Sequence, residues 1–199
     1  VSKIFCFPGN AGTNLIAHNV NLDPDNFSEL EKCCLEKDIK MLVVGPEKPL
    51  VNGIVDHFKS KPIMVFGPDR ISSKLEGSKI FTKKICQKKN IPTSKFKICE
   101  SLSETTDYLK DSSFPLVIKA DGLASGKGVY ICKSFDEAKT ASEEIFNGKF
   151  GIAEKILVEE FLDGEEMSYF IVTDGKNYKF FGSAQDHKRI GEGDTGKNT

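Results

Sequence analysis

The 199-residue sequence has no tryptophan, three histidines, three methionines and almost no net charge. Lys and Arg number 28 against 29 Asp and Glu, so there is no overall basic footprint for nucleic acid. No apolar run approaches the roughly 18 residues of a membrane span, and the start has no charged segment leading into a signal-like apolar run. We therefore expect no nucleic-acid partner, no membrane association and a cytoplasmic location.

The six cysteines also lack the spacing of a metal site. They form no CxxC pair and stand beside no His-rich pattern, which argues against zinc. Cys6 and Cys132 lie in apolar runs, where a free thiol behaves as a small buried hydrophobe. Free thiols fit a reducing compartment, and we predict no metal ligand in this chain.

Residues 3–67 alternate short apolar runs with amphipathic segments. The order strand, helix, strand, helix, strand is predicted over residues 4–7, 27–37, 41–45, 51–59 and 63–66. Such alternation favours a parallel, Rossmann-like sheet with ligands at the carboxyl ends of its strands. Gly/Pro turns at 8–12 and 45–47 stand at those ends. We expect an α/β N-terminal domain over residues 1–74.

Residues 75–199 predict a second domain of α+β type, with strands at 96–99, 116–120 and 128–132. Ser101 and Ser134 are each followed three residues later by Glu, the capping-box spacing that begins a helix. Two tight-turn dipeptides, Asp163-Gly164 and Asp174-Gly175, separate strand-like runs. The pattern therefore predicts two antiparallel hairpins, the first joining 156–162 to 167–172 and the second leading into 178–181.

The densest chemical signal is the segment 118–129, in which Lys119 leads into a loop with three glycines and a second lysine. Such a loop can offer several backbone N–H groups to a phosphate. It is not a Walker A motif, because three residues separate Gly122 from Gly126 and Gly128 stands where Ser or Thr should bind magnesium. A Rossmann fingerprint is excluded too, since its third glycine would fall on Ile131. A plain Gly-rich hairpin stays open as an alternative, but a lysine in an apolar strand calls for an anionic partner.

Two further stretches are rich in charge. Residues 158–166 place adjacent carboxylates on each side of a turn, which suits either an adenosine site or a charged hairpin tip. Residues 185–196 run into a glycine-rich loop, and Lys188 with Arg189 favours a clamp on phosphate or carboxylate over a metal site at His187. Lys79 begins a predicted helix and, taken alone, reads as ordinary helix surface.

Taken in order, these segments resemble the phosphoribosylamine–glycine ligase family of the ATP-grasp superfamily, and the resemblance covers nearly the whole chain. Any one match could arise by chance, but the ordered set is specific. The matching segments are residues 8–13, 44–50, 66–68, 75–79, 91–93, 118–129, 158–166 and 185–189.

The resemblance implies an ATP site. Lys79 and Lys119 are similar to the two lysines that reach the nucleotide phosphates, and the 122–128 loop, with Gly126, Lys127 and Gly128, would close over them. A hinge would present main-chain groups to adenine, and it consists of Glu159, Glu160, Phe161 and Leu162. Glu166 resembles the ribose carboxylate, while Arg189 and Asn198 resemble contacts near the triphosphate. Lys119 and Arg189 are also the implied catalytic residues.

The implied amine-substrate pocket is made of Gly9, Asn10, Gly12, Pro46, Glu47 and Asp186. The implied reaction joins glycine to 5-phosphoribosylamine with ATP through a glycyl phosphate, giving glycinamide ribonucleotide, ADP and phosphate. The cofactors would be ATP with Mg²⁺ or Mn²⁺, and the partners would be small-molecule substrates of a monomer or weak homodimer.

The resemblance also implies that parts of the family's pattern lie outside this sequence. The family's first strand would precede Val1 and its metal ligands would follow Thr199, so a chain truncated at both ends, and inactive alone, is expected. Two alternatives stay open. One is another ATP-grasp carboxylate–amine ligase, and the other is a non-catalytic nucleotide-binding module.

Overall fold

The computed structural model describes residues 1–123, 128–151, 153–185, 187, 189–192 and 195–198, with backbone alone at 189 and 195–198. The chain divides into two compact units, Val1–Phe161 and Leu162–Thr199, and each is described by itself. Among the described residues, no helix combines the length and apolar character that a membrane crossing requires.

The first 66 residues contain two parallel strand pairs and three short helices. β1 pairs with β2 and β3 pairs with β4, both in parallel and in separate sheets, and the β3–β4 pair joins two strands that the alternating pattern predicts. The elements are β1 (Phe5–Cys6), a 3₁₀ turn (Thr13–Leu15), β2 (His18–Asn19), α1 (Phe27–Glu36), β3 (Met41–Val43), α2 (Glu47–Asn52), α3 (Ile54–Phe58) and β4 (Met64–Phe66). One hydrophobic cluster holds them together, and its most buried members are Leu30, Cys34, Ile54 and Phe58.

Two predictions in this region were wrong in detail. Strand β2 was not predicted, because two residues give no periodicity to detect. The helix predicted over 51–59 is two helices, α2 from Glu47 and α3 from Ile54, which are divided at Gly53 with φ 95°. Pro49 does not prevent this start, since proline is tolerated in the first turn of a helix, and Glu47 there suits the helix dipole.

The rest of the first unit is an antiparallel sheet with helices packed on it, as predicted. Its strands lie in the order β5-β8-β6-β7, and α6 and α7 cover a core that includes Leu109, Ile118 and Ile145. The elements are α4 (Lys74–Gly77), α5 (Lys79–Lys89), β5 (Phe96–Cys99), α6 (Leu102–Lys110), β6 (Leu116–Ala120), β7 (Val129–Cys132), α7 (Phe135–Phe146) and β8 (Ile156–Glu160).

Local spacing fixes where α6 and α7 begin. The Ser101 hydroxyl accepts a hydrogen bond from the Glu104 N–H at 3.2 Å, and Ser134 accepts one from the Glu137 N–H at 3.3 Å. The carboxylate of each glutamate also accepts a hydrogen bond from the backbone N–H of the residue just before the cap. The N···O distance is 2.8 Å for Glu104 and 2.7 Å for Glu137. Both predicted capping boxes are confirmed.

The predicted hairpin at Asp163-Gly164 was wrong. Strand β8 ends at Glu160 and has β5 on one edge and β6 on the other, both antiparallel, which leaves it no free edge for the next strand. Ile156, Leu157 and Val158 are all at most 2% exposed, as in a strand buried on both faces. A turn dipeptide shows where the chain bends, but not which strands pair.

The second unit contains two described antiparallel pairs. Strand β9 (Met167–Thr173) pairs with β10 (Tyr178–Gln185) through the turn at Asp174-Gly175, so the second predicted hairpin is confirmed. β10 runs four residues further than predicted. β11 (Arg189–Gly191) pairs with β12 (Thr195–Asn198).

Candidate phosphate-binding site

The sheet places Lys119 next to a buried carboxylate. Lys119 is the fourth residue of β6 and pairs with Leu157 of β8, so Glu159 is its diagonal neighbour on the same face of the sheet. Lys119 Nζ lies 3.0 Å from Glu159 Oε2. The Glu159 side chain is 6% exposed and that of Lys119 is 26% exposed, so the carboxylate is enclosed and the lysine is the more accessible member of the pair.

A second lysine approaches the same carboxylate oxygen from helix α5. Lys83 Nζ lies 3.2 Å from Glu159 Oε2, and its side chain is 10% exposed. It donates to the hydroxyls of Thr93 and Ser94, both at 2.6 Å. The Ser94 hydroxyl in turn donates to Glu159 Oε2 at 2.8 Å.

These contacts decide the charge state of Glu159. Burial by itself raises the pKa of the carboxyl, but the Ser94 hydrogen bond and the charges of Lys119 and Lys83 oppose this, and the net pKa lies below its usual value. Glu159 is therefore an anion shared by two ammonium groups. The three side chains together keep one positive charge.

Lys79 supplies a third ammonium group at the start of α5. Its Nζ donates to the Gly122 carbonyl at 2.9 Å, where the chain leaves β6. Burial lowers the pKa of Lys79, the Asp121 carboxylate raises it and the Lys119 charge lowers it, with a net result below the usual value. A bound anion would stabilise the charged form of Lys79 against both the burial and the repulsion from Lys119.

Asp121 joins the start of α5 to the end of β6. Its carboxylate accepts from the Ser78 hydroxyl at 2.9 and 3.1 Å and from the Ile80 N–H at 3.1 Å. Ser78 is the N-cap of α5 and accepts from the Phe81 N–H at 3.1 Å. Protein groups therefore already accept from the Ile80 and Phe81 N–H groups of this helix, and we expect an anion at this site to be bound by lysine side chains.

The loop predicted to hold the amine substrate is tied to strand β2. Asn19 accepts from the Thr13 hydroxyl at 2.7 Å and donates to the Asn10 carbonyl at 2.7 Å. The Asn10 side chain also accepts from the Thr13 N–H at 2.9 Å. Gly9 has φ 81°, and a Cβ there would lie 2.2 Å from the Asn19 side-chain oxygen. Only glycine fits at this position.

The structure brings together Lys79, Lys119 and Glu159 from the predicted ATP site. Glu160 ends β8 and Phe161 follows it, whereas Leu162 and Glu166 lie in the second unit. Pro46 caps α2 and Glu47 begins it. Gly128 is described and its carbonyl accepts from the Ala120 N–H at 2.8 Å. The remaining predicted positions lie outside the described residues (Gly126, Lys127, Asp186) or outside the described side chains (Arg189, Asn198).

Sequence reasoning missed several contributors, among them Lys83, Ser94, Asn19 and Asp121. Lys83 had a usable signal, because it follows Lys79 by four residues and so shares its helix face. Ser94 and Asn19 had none, since their contacts depend on strand order. Within the described ranges, no group of three or more His, Cys, Asp or Glu side chains is arranged to hold a metal ion. We therefore assign no Mg²⁺ ligand.

Comparison with known proteins identifies the class and then the family. The model of the phosphoribosylglycinamide synthetase ATP-grasp (A) domain matches residues 77–199, and that of the N domain matches residues 1–76. The second part of the chain is thus the start of an ATP-grasp domain, preceded by an N-terminal domain. The chain belongs to the phosphoribosylglycinamide synthetase family, as the sequence motifs predicted.

Individual relatives agree with this assignment. The phosphoribosylamine–glycine ligase of Mesorhizobium japonicum is 46% identical over 200 residues, which is 100% of this chain and 47% of the relative. The crystal structure of the Thermotoga maritima phosphoribosylamine–glycine ligase matches 99% of this chain and 47% of that one, with a TM-score of 0.80 and 32% identity. The chain therefore spans about half the length of these relatives.

A more distant structure shares the fold alone. The biotin carboxylase domain of the Hydrogenobacter thermophilus 2-oxoglutarate carboxylase matches 94% of this chain and 45% of that one, with a TM-score of 0.71 and 18% identity. That protein was crystallised with MgADP, ADP and bicarbonate.

Proposed function

We propose that this chain supplies the nucleotide-phosphate site and part of the amine-substrate site of a phosphoribosylamine–glycine ligase. The reaction is the ATP-dependent joining of glycine to 5-phosphoribosylamine, which gives glycinamide ribonucleotide, ADP and phosphate. The proposed partners are these small molecules.

The observation that carries the proposal is the convergence of lysine side chains at the end of β6. Lys119 contacts Glu159, and Lys79 donates to the Gly122 carbonyl, where the charge of Lys119 acts on it. Two partly buried ammonium groups that repel each other favour a polyanion, and the membership of the ATP-grasp class makes ATP the best candidate. The membership of the family selects this ligase over another ATP-grasp carboxylate–amine ligase.

In the proposed reaction, the glycine carboxylate attacks the terminal phosphate of ATP, the bond to ADP breaks, and glycyl phosphate forms. The amine of phosphoribosylamine then attacks the glycyl carbonyl and releases phosphate. Lys79 and Lys119 would bind phosphate oxygens and stabilise the charge that develops on them. Mg²⁺, when bound, would supply further charge neutralisation, and we assign none of its ligands here.

The remaining assignments follow from the family. Glu159, Glu160, Phe161 and Leu162 would present main-chain groups to adenine, and Glu166 would bind the ribose. Arg189 and Asn198 would contribute near the triphosphate. The loop with Gly9, Asn10 and Gly12 would contact the amine substrate together with Pro46, Glu47 and Asp186, and the Asn19 contacts would keep that loop in shape.

Lys119→Ala tests the nucleotide site. The loss of a hydrogen bond to a charged group costs roughly 1.5–3 kcal/mol, so the dissociation constant for ADP should rise about ten- to hundredfold. Lys84→Ala is the matched control, because Lys84 is an exposed lysine on α5, the helix that also carries Lys79 and Lys83. Isothermal titration calorimetry measures both, and an unchanged constant for Lys119→Ala would remove this residue from the site.

Turnover tests the reaction itself. In an enzyme that contains this chain, phosphate release should require both glycine and phosphoribosylamine. Release that persists without glycine, or that follows another amine equally well, would contradict the proposed ligase activity while leaving nucleotide binding intact.

A further inference from the structure

The contacts of Lys83 differ from those of the other two lysines at the site. Its side chain is 10% exposed, and its ammonium group faces Thr93, Ser94 and Glu159. These three oxygens match the three donors of an ammonium group. Lys83 is therefore directed into the protein, and Glu159 is the group that it shares with Lys119.

Lys83 and Lys119 meet the same oxygen of Glu159, at 3.2 and 3.0 Å. One carboxylate cannot neutralise two ammonium groups, so each lysine is only partly compensated. Lys119 is the more exposed of the two lysine side chains, at 26% against 10% for Lys83. The uncompensated charge can therefore act on a ligand at Lys119.

We propose that Lys83 is a positioning residue of the phosphate site, which shares the Glu159 carboxylate so that this group orients Lys119 without cancelling its charge. The inference rests on the proposed nucleotide site and adds a residue to it. Without Lys83, Glu159 would pair with Lys119 alone, and the pair would attract a phosphate less strongly.

Lys83→Met tests the idea, because it removes the charge and largely keeps the volume. The readout is the ratio of the dissociation constants for adenosine and ADP on the full 199-residue chain, measured by calorimetry. Adenosine lacks phosphates, so its affinity should not change, whereas ADP should bind on the order of tenfold more weakly. The control is Lys84→Met, which should leave the ratio unchanged.

A second substitution separates charge sharing from simple packing. In Lys83→Met/Glu159→Gln the carboxylate no longer neutralises Lys119, so the preference for ADP should return toward that of the unchanged chain. Replacing both members of a buried pair is also better tolerated than removing one. If Lys83→Met does not fold, Lys83→Gln keeps a donor for Thr93 and Ser94 and serves in its place.

The outcomes distinguish the two proposals. An unchanged chain that binds neither ADP nor ATP would overturn the proposed function. If that chain binds ADP, an unchanged ratio of the adenosine and ADP dissociation constants in Lys83→Met would overturn the role of Lys83 and leave the proposed function standing. A double variant with the same reduced ratio as Lys83→Met would also overturn it, because charge sharing requires the preference for ADP to return once the Glu159 carboxylate is gone.

Discussion

Replacing Asp121 with alanine tests how helix α5 is held against the sheet. The Asp121 carboxylate accepts from the Ser78 hydroxyl at 2.9 Å and from the Ile80 N–H at 3.1 Å. The substitution therefore leaves one backbone donor of the first turn without its partner and frees the N-cap serine to rotate. It also removes a negative charge from the positive end of the helix dipole.

The magnitude follows from these losses. The loss of an N-cap interaction costs about 0.5–2 kcal/mol, and a hydrogen bond to a charged group contributes about 1.5–3 kcal/mol. Asp121 is half-buried and its contacts overlap, so the terms do not add fully. We expect Asp121→Ala to lower the free energy of unfolding by about 2 kcal/mol.

Urea unfolding followed by circular dichroism measures the effect. Asp121→Asn is the matched control, since its side-chain oxygen can still accept from the Ile80 N–H. Its free energy of unfolding should fall by less than half as much as that of Asp121→Ala. Asp121→Ala should also weaken ADP binding, because Lys79 is held at the adjacent Gly122 carbonyl. If both variants unfold with the same free energy as the unchanged chain, within error, the capping role is refuted.

Two further predictions concern the substrate loop and the hairpin of the second unit. Gly9→Ala should destabilise the chain by about 1–3 kcal/mol in the same unfolding assay, because φ is 81° and the new Cβ would meet Asn19 at 2.2 Å. Gly12→Ala should be tolerated, because Gly12 has φ −69° and a Cβ there would have its nearest contact at 3.3 Å. An equal loss of unfolding free energy in the two variants would contradict this account. Asp174 accepts from the N–H groups of Asn177 and Lys176, which lowers its pKa to about 2, so its contribution to the hairpin is complete above the ordinary pKa and is lost as the pH falls toward 2. An NMR titration of the Asp174 carboxyl with a midpoint near 4 would contradict that prediction.

Sequence patterns were most reliable where the determining interaction is local. The capping boxes at Ser101 and Ser134 span three residues, and the helices begin where the spacing predicts. The turn at Asp174-Gly175 likewise joins neighbouring strands. Lys119 was identified because a charged residue inside an apolar strand is costly without a partner, a rule that depends on burial rather than topology.

The partner of Lys119 could not be predicted in the same way. The family resemblance gave Glu159 a main-chain role, whereas its side chain is the buried anion that joins Lys83 and Lys119. That contact links residues 40 positions apart, and it exists because β6 and β8 are neighbours. A one-residue change of register would turn Glu159 to the opposite face of the sheet.

The mispredicted hairpin and the missed contact between Ser94 and Glu159 therefore have one cause, the order of the strands. With β8 between β5 and β6, Glu159 lies opposite Phe96 on one side and opposite Val117 on the other. This order brings Ser94, just before β5, and Lys119, within β6, to the same carboxylate oxygen from opposite sides. Had β8 folded back on β9 as the turn dipeptide predicted, Glu159 would have lost one of these neighbours. The sheet order thus builds the charged cluster from the protein's own side chains, which orients Lys119 for the proposed phosphate.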